Sequence, residues 1–168
     1  MIEGKFPQID ESIDVEIDIT FDGADRADKN SFCLIKGGGG ALLREKLVAT
    51  RSKRNIMLVD ETKLTSPLSG FPLPVEIVQF GYQSTVERLE LQGFSGMLRK
   101  EEGSDKIAQS DNGNYIFDIN LKTAIVEPKA THKILKQTLG VIETGLFCDT
   151  ASAIYVGKSD GTVQILEK

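Results

Sequence analysis

The chain has 168 residues, with 25 acidic and 20 basic side chains and a formal net charge of −5, a length that fits one domain or one domain carrying a small second lobe. The mild acidity argues against a general nucleic-acid binder, the single histidine His132 excludes a multi-histidine metal site, and no apolar run approaches the ~18 residues of a membrane span. Two cysteines, Cys33 and Cys148, are too few for a disulfide scaffold and, with an N-terminus that lacks a signal-peptide pattern, they favour a reduced, cytoplasmic compartment.

The first 60 residues combine strand and helix patterns. Apolar and polar residues alternate over 14–21, which predicts a strand, and a short apolar run over 32–35 predicts a second one. Four glycines at 37–40 lead into 41–50, which is rich in strong helix formers, and the apolar run 55–60 predicts a buried strand. Strands that alternate with a helix in this way indicate an α/β layer with some parallel pairing.

A second lobe is predicted after Pro72 and Pro74, because two prolines that bracket one residue do not fit inside a helix or a central strand. The segments that follow predict strands over 75–80, 96–100 and 115–121, helices over 82–91 and 130–139, the second closed by Gly140, and a tight Asn-Gly turn at 111–114. This β-α-β-β-α-β order is typical of a split βαβ lobe that ends near residue 143. A hairpin over 153–156 and 163–166 follows it.

The glycine run at 37–40 is the strongest local signal for a ligand site. A strand, a glycine loop and the start of a helix present backbone N–H groups to an anion. Neither nucleotide pattern fits, since no Gly-Lys-Ser/Thr follows the run and Leu42 stands where the dinucleotide fingerprint requires a third glycine. The run is either a flexible link or a surface that a ligand approaches closely. We favour the second interpretation, because each glycine loses much backbone freedom on folding.

Polar residues also follow the predicted strands, and ligand sites in α/β sheets form at the carboxyl ends of strands. Asp22 and Asp25 come after the first strand, where they form either an Asx-type turn or one wall of a pocket. Lys63 follows the strand 55–60 and is either an exposed lysine or a contact to a charged ligand.

Lys36 and Glu45 flank the glycine run on its two sides. Glu45 is either a helix-surface residue, paired locally with Arg44 or Lys46, or a carboxylate beside an anion cradle. With no metal cluster, catalytic histidine or nucleotide motif in view, two acids, two lysines, one glutamate and a glycine cradle suit proton transfer on a small anionic ligand.

Three further features favour ordinary structural roles. His132 is interpreted as a surface residue and Cys33 as a core residue rather than a nucleophile. Nine of the acids fall within residues 1–30, and they form either a solvated acidic face, which we favour, or a segment of which one or two members line a site.

Taken together, these motifs resemble the ribose-5-phosphate isomerase type A family. The resemblance rests on D-G-A-D at 22–25, K-G-G-G-G-A-L-L-R-E-K at 36–46, D-E-T-K at 60–63, F-P-L-P-V-E at 71–76, D-N-G-N at 111–114 and G-L-F at 145–147. Their order and spacing match over nearly all of the chain, and the glycine run through Glu45 is the most specific of them. Arg26 departs from the family, which usually has Glu there, while Thr62 and Ser110 are mild exchanges.

The resemblance implies reversible conversion of ribose 5-phosphate to ribulose 5-phosphate through a cis-enediolate, in the pentose phosphate pathway and without a cofactor or metal. It implies that Glu45 is the general base, that Asp22 helps to open the furanose ring, and that Lys36 stabilises oxyanion charge with the glycine amides. The substrate-binding residues implied are Asp22, Gly23, Ala24, Asp25, Lys36, Gly37, Gly38, Gly39 and Lys63. It also implies a homodimer or homotetramer, with no nucleic-acid or membrane partner.

The fold implied is α/β: a Rossmann-like catalytic domain over 1–74 and 144–168, with an inserted ferredoxin-like α+β lobe over 75–143. Family members carry an N-terminal Gly-Thr-Gly-Ser-Thr-like phosphate loop that this sequence does not contain. We therefore expect an N-terminally truncated isomerase: a fragment, a misassigned start or one half of a split enzyme. Two other functions compete with it, a non-catalytic sugar-phosphate sensor or remnant and, less well supported, a nucleotide-binding α/β domain.

Overall fold

The computed structural model describes residues 16–168, which form a mixed α/β fold with three four-stranded sheets. The strands are β1 Ile17–Gly23, β2 Arg26–Asp28, β3 Leu34–Ile35, β4 Ser52–Asp60, β5 Leu64–Thr65, β6 Leu73–Ile77, β7 Gly96–Leu98, β8 Tyr115–Ile119, β9 Val141–Thr144, β10 Leu146–Phe147, β11 Ala153–Gly157 and β12 Val163–Glu167. The α-helices are α1 Leu42–Arg51, α2 Tyr82–Leu91 and α3 Pro128–Lys136. The first residues of the strand predicted over 14–21, and half of the acidic segment, lie outside the described residues.

The first sheet has the order β1-β4-β11-β12 and supplies the predicted parallel pairing. Strand β4 lies parallel to β1 on one side and to β11 on the other, and β12 returns antiparallel to β11 as the predicted hairpin. Met57 and Ile154 of the central strands are buried against Leu42 of α1 in one apolar core. That core fixes the first turn of α1 relative to the strand ends.

The second sheet is small, and its order is β10-β3-β2-β5. Beside this sheet, Cys33 and Cys148 are joined by a disulfide. The expectation that both cysteines are reduced is therefore wrong in this structure. The pairing of β10 with β3 is antiparallel and sets Phe147 opposite Leu34, so the next positions along each strand, 148 and 33, also face each other. Cys33 is buried, as expected for a core residue.

The third sheet has the order β7-β8-β6-β9, and all its pairs are antiparallel. Pro74 lies inside β6, a central strand, so the rule that excluded proline from such a strand is wrong here. The carbonyl of Pro74 accepts a hydrogen bond of 2.7 Å from the amide of Gly145, just beyond the end of β9 at Thr144. The missing N–H of Pro74 therefore falls at the end of the β9 ladder, where no ladder bond is lost.

The helices of this part begin close to their predicted positions. Helix α2 has the predicted bounds, whereas α3 begins at Pro128 and ends at Lys136, three residues earlier than expected. Gly140 still adopts a left-handed backbone with φ of 94°, but in the turn that enters β9 rather than as the helix cap. The turn at 111–114 forms as predicted, with Gly113 at φ of 74°.

Two absences apply to the described region, residues 16–168. No helix there is long and apolar enough to cross a membrane. No group of three or more histidine, cysteine, aspartate or glutamate side chains there is placed to hold a metal ion.

Candidate active site

A polar cavity of about 170 Å³ opens where β1 ends, where β3 leads into the glycine run and where α1 begins. Its lining residues are Asp22, Gly23, Ala24, Asp25, Lys36, Gly37, Gly38, Gly39, Glu45 and Lys63. The fold thus brings together in one cavity every residue that the sequence had proposed for a site.

Lys36 lies at the centre of this cavity and is only 4% exposed. Its ammonium donates to the carbonyl of Gly23 at 2.5 Å and pairs with Asp22 Oδ2 at 2.9 Å and with Glu45 Oε2 at 3.5 Å. The backbone amide of Lys36 donates to Gly145 O, which continues the pairing of β3 with β10. A buried cation is therefore held between two carboxylates from different elements.

Glu45 stands in the first turn of α1, with a side chain that is about 29% exposed. Burial raises the pKa of this carboxyl, and the negative charges of Asp22 and Asp25 add to the rise, while Lys36 acts against it. Its Oε2 is buried and receives no hydrogen bond from any residue within 16–168. A carboxyl with raised proton affinity, whose buried Oε2 lies 3.5 Å from the Lys36 ammonium, is suited to accept and return a proton.

The local pairing that the sequence allowed for Glu45 does not occur. The guanidinium of Arg44 donates instead to Asn112 Oδ1 and to the carbonyl of Asp111, in the turn that precedes β8. The ammonium of Lys46 turns to the other side of the helix, where it pairs with Glu143 at 2.8 Å. Glu45 is consequently left facing the cavity and Lys36.

The glycine run is held from both sides rather than being a loose link. Gly38 N donates to Asp25 Oδ2 at 2.8 Å, and a Cβ added at Gly38 would lie 2.6 Å from Asp25 Oδ1. Gly37 has φ of 102°, and a Cβ added there would lie 2.9 Å from the side chain of Leu42 and 3.3 Å from Pro74 Cβ, so only glycine fits without strain. On the outer side, Arg99 Nη1 donates to the carbonyls of Gly37 and Gly38, at 2.9 Å each.

The sequence left two alternatives for Asp22 and Asp25, an Asx-type turn or one wall of a pocket. The structure combines a turn contact with a position in the cavity wall. Asp22 Oδ1 accepts from Gly23 N at 2.7 Å, a local turn contact, while its Oδ2 faces Lys36. Asp25 faces the glycine run. Lys63 ends a short 3-10 turn whose start is capped by Asp60, which accepts from Thr62 N at 2.9 Å. That turn brings Lys63 to the open side of the cavity.

The model of the family described as ribose 5-phosphate isomerase A (phosphoriboisomerase A) matches residues 4–161. The chain belongs to the ribose 5-phosphate isomerase A family. It is 43% identical over 160 residues to ribose-5-phosphate isomerase A of Protochlamydia amoebophila, covering 95% of this chain and 68% of the relative. It is 46% identical over 145 residues to the Bacillus mycoides protein of the same name, covering 86% of this chain and 64% of the relative.

Solved structures of ribose 5-phosphate isomerases share the fold. The Plasmodium falciparum enzyme superposes with a TM-score of 0.85 at 40% identity, covering 92% of this chain and 67% of that one. The Methanocaldococcus jannaschii enzyme gives a TM-score of 0.84 at 34% identity, with the same coverage of the two chains. The chain spans about two thirds of the length of these relatives. These matches confirm the resemblance to ribose 5-phosphate isomerase A that the sequence motifs indicated.

Several charged residues near the site escaped the sequence interpretation. Arg99 and Asp118 form a bidentate pair beside the glycine run, and the buried Glu143 pairs with Lys46 behind α1. His132 is not a plain surface residue, because its Nδ1 lies 2.7 Å from Thr144 Oγ1 beside that pair. The sequence could have indicated these residues only by a polar or charged side chain within an otherwise apolar strand or helix face, as at Glu143 in β9.

Proposed function

We propose that this chain interconverts D-ribose 5-phosphate and D-ribulose 5-phosphate, with Glu45, Lys36 and Asp22 as its catalytic residues. The observation that carries the proposal is the contact between Glu45 Oε2 and the ammonium of Lys36, 3.5 Å apart in a cavity that backbone glycines line. A carboxylate base beside a fixed cation and free amides is the arrangement that an enediolate intermediate requires.

The reaction moves one proton between neighbouring carbons of the open-chain sugar. The carboxylate of Glu45 takes the proton from C2, the C–H electron pair forms the C1=C2 double bond, and the carbonyl electrons of C1 move to its oxygen. The hydroxyl proton then passes from the C2 oxygen to the C1 oxygen, C2 becomes the ketone, and Glu45 returns its proton to C1. The raised pKa of Glu45 makes its carboxylate a stronger base for the first half of this cycle, and the carboxyl formed there returns the proton in the second.

Charge that develops on the substrate oxygens requires preorganised donors. Lys36 supplies a buried ammonium, and the amides of the glycine run supply neutral donors. Asp22, which pairs with Lys36, acts as the acid/base that opens the furanose ring. Gly23, Ala24, Asp25 and Lys63 contact the sugar from the cavity walls, and no cofactor takes part.

The test is ribulose 5-phosphate formation from ribose 5-phosphate by the purified chain and its Glu45→Gln variant. We expect kcat to fall on the order of 10²- to 10⁴-fold, the usual contribution of a general base. Glu90→Gln, which removes an exposed glutamate from α2, is the matched control and should retain full activity. A wild-type chain that binds ribose 5-phosphate without turnover would contradict the proposal and favour a sugar-phosphate sensor.

A second test uses a ligand of the same chemical class. A solved ribose 5-phosphate isomerase, 36% identical to this chain, is in complex with phospho-erythronic acid. We propose that this phosphorylated sugar acid competes with ribose 5-phosphate here, because its carboxylate would place negative charge against Lys36 as the enediolate does. Lys36→Met should abolish the competition while the variant stays folded.

We also propose the domain division implied by the resemblance, a Rossmann-like domain over 1–74 and 144–168 with a ferredoxin-like lobe over 75–143. The order β6-α2-β7-β8-α3-β9 and the fully antiparallel sheet β7-β8-β6-β9 support the lobe. The three strands β1, β4 and β11 in parallel support the Rossmann-like part. Expression of residues 72–144 alone tests the division. The buried core of the lobe also includes Cys33, Ile35, Leu68 and Leu146 from outside these bounds, so a folded product would show that the lobe's own residues suffice.

The oligomeric state and the cellular location are proposals as well. We propose a homodimer or homotetramer, which light scattering on the purified chain distinguishes from a monomer. We propose a cytoplasmic location, which fractionation of the source cells tests. The Cys33–Cys148 disulfide bears on the second proposal, because such bonds are uncommon in a reducing compartment. Mass spectrometry after thiol alkylation in the cell lysate would measure how much of the bond exists in vivo.

A further inference from the structure

Arg99 connects the third sheet to the cavity of the first. It follows β7 directly, and its guanidinium is about 20% exposed. Nε and Nη2 donate to the two carboxylate oxygens of Asp118 in β8, at 2.8 and 2.6 Å. The remaining nitrogen, Nη1, donates to the carbonyls of Gly37 and Gly38. One planar cation is thus fixed by a carboxylate on one edge and holds two consecutive peptide groups with the other.

Fixing those two carbonyls also fixes two amides. In a planar trans peptide the carbonyl oxygen and the following N–H point in opposite directions. Arg99 therefore orients the N–H of Gly38 and the N–H of Gly39 away from itself. The first donates to Asp25 Oδ2 at 2.8 Å. For the second, no residue within 16–168 acts as acceptor, and Gly39 lines the cavity, so this donor is available to a bound anion.

Two other contacts hold the loop, from Gly38 N to Asp25 Oδ2 and from Gly40 N to Gly37 O at 3.1 Å, and both act on the peptide between Gly37 and Gly38. Gly39 has open space around its Cα, with no atom within 4 Å of an added Cβ, and Gly38 is exposed. Consecutive glycines have no side chains to restrict their peptide planes, so without an external contact the planes would rotate easily. The contacts from Arg99 are the ones that act on two successive planes at once.

We infer that Arg99, held in place by Asp118, is a positioning residue that keeps the Gly38 amide on Asp25 and aims the Gly39 amide into the proposed oxyanion site. The inference rests on the proposed isomerase function for its kinetic consequence, whereas the orientation of the amides is independent of it. It makes catalysis in the cavity depend on Arg99 and Asp118, a pair of residues from the third sheet. Preorganised amides matter most when charge develops, so the pair acts on kcat more than on substrate binding.

The kinetic test compares Arg99→Lys with Lys100→Gln. Lysine keeps the charge but cannot serve a carboxylate and two carbonyls together. Lys100 is the next residue, and its exposed ammonium pairs with the exposed Asp105, so its loss controls for charge on the same segment. We expect kcat to fall about 10- to 100-fold in Arg99→Lys, with KM within about threefold of the wild type. Asp118→Asn should give a smaller fall, and the double variant should be no worse than Arg99→Lys alone.

The structural test follows the amide signals of Gly38 and Gly39 by ¹H–¹⁵N NMR in the substrate-free chain. They should shift or broaden in Arg99→Lys and stay unchanged in Lys100→Gln. A wild-type chain without isomerase activity would overturn the proposed function, and the amide signals would still decide the positioning role. Unmoved amides, or a lowered melting temperature with wild-type kcat in the folded fraction, would overturn the inference.

Discussion

The ammonium of Lys46 and a carboxylate oxygen of Glu143 lie 2.8 Å apart, with the two side chains only 14% and 11% exposed. Lys46 also donates to the carbonyls of Thr144 and Leu146, at 2.7 and 2.9 Å, and lies 4.6 Å from the ring centre of Phe147. Because Lys46 follows Glu45 in the same helical turn, this cluster anchors α1 to β9 and β10 directly behind the cavity.

Lys46→Met should therefore destabilise the protein strongly. The substitution keeps the length of the side chain but leaves Glu143 buried without its main partner, which costs about 3–5 kcal/mol of unfolding free energy. Chemical denaturation at pH 7 measures the loss. Lys53→Met is the control, because Lys53 is about half exposed and pairs with the exposed Glu16 and Asp18. Equal stability of the two variants would contradict an anchoring role for Lys46.

His132 should make this cluster sensitive to mild acid. Burial lowers the pKa of its imidazole below the ordinary 6.5, and the positive charges of Lys46 and Lys136 lower it further, against the attraction of Glu143. A folded-state pKa below the unfolded one means that protonation favours unfolding. The contribution of His132 to stability is therefore complete above pH 6.5 and declines as the pH falls from there towards its folded pKa.

Unfolding free energies at about pH 7.5 and 5.5, on either side of the unfolded pKa, measure this decline. In His132→Asn, whose amide reproduces the contact to Thr144 without titrating, the difference between the two pH values should shrink. A difference as large as in the wild type would assign the acid sensitivity to other groups, of which Glu143 is the nearest candidate. Burial tends to raise the pKa of Glu143, but Lys46 and its other partners hold it below the ordinary value, so its own effect belongs to lower pH.

Gly38→Ala should impair the site while Gly39→Ala does not. A Cβ at Gly38 would stand 2.6 Å from Asp25 Oδ1, whereas one at Gly39 meets nothing within 4 Å. Asp25 or the loop must move to accommodate the first methyl, and a displacement near 1 Å in an active site reduces kcat/KM on the order of 10- to 100-fold. Steady-state kinetics on both variants, with melting temperatures recorded alongside, would show the difference. Equal activities would mean that the loop relaxes without cost.

The candidate site was predictable from sequence largely because its residues stand at strand ends. Asp22 is the last residue but one of β1, Lys36 follows β3 and Lys63 comes shortly after β4, and the carboxyl ends of strands in such sheets meet where ligands bind. Glu45 is predictable because it lies in the first turn of a helix that follows a run of glycines. These are local signals, readable within a few residues, so the cavity could be assembled before its geometry was known.

The contacts that support the site were not predictable in the same way. Arg99 reaches the glycine run across 61 and 62 positions of the chain, and Cys33 reaches Cys148 across 115. Both depend on which strands become neighbours, and no local pattern encodes that choice. Pro74 was misplaced for a related reason, because a proline is tolerated in a central strand when the neighbouring ladder ends beside it, as β9 does at Thr144.

Glu76 should be indispensable to the third sheet. It is fully buried in β6, and its Oε1 accepts from Ser110 Oγ at 2.7 Å, Asn112 Nδ2 at 3.2 Å and Asn114 Nδ2 at 2.8 Å. Glu76→Ala leaves three donors of the Asn-Gly turn without an acceptor, and we expect a loss of about 3 kcal/mol or more. Denaturation of this variant beside Glu101→Ala, which removes an exposed glutamate, provides the comparison. A loss below about 1 kcal/mol would mean that water replaces the carboxylate.

The pH dependence of activity should report the charges around Glu45. The general base must be ionised, so kcat/KM should fall as the pH drops through the pKa of Glu45, which lies above the ordinary 4.5. Asp22→Asn removes a negative charge that raises this pKa, and it also frees Lys36 to approach Glu45. The acid limb of the residual activity should therefore move to lower pH.

Lys36→Met should shift the same limb in the opposite direction, because it removes the positive charge that lowers the pKa of Glu45. Both variants lose activity, so the position of the limb, and not the height of the profile, is the quantity to compare. Asp18→Asn, an exposed acid of β1, is the control and should leave the limb unchanged. Shifts of the same sign in Asp22→Asn and Lys36→Met would show that the limb belongs to a group other than Glu45.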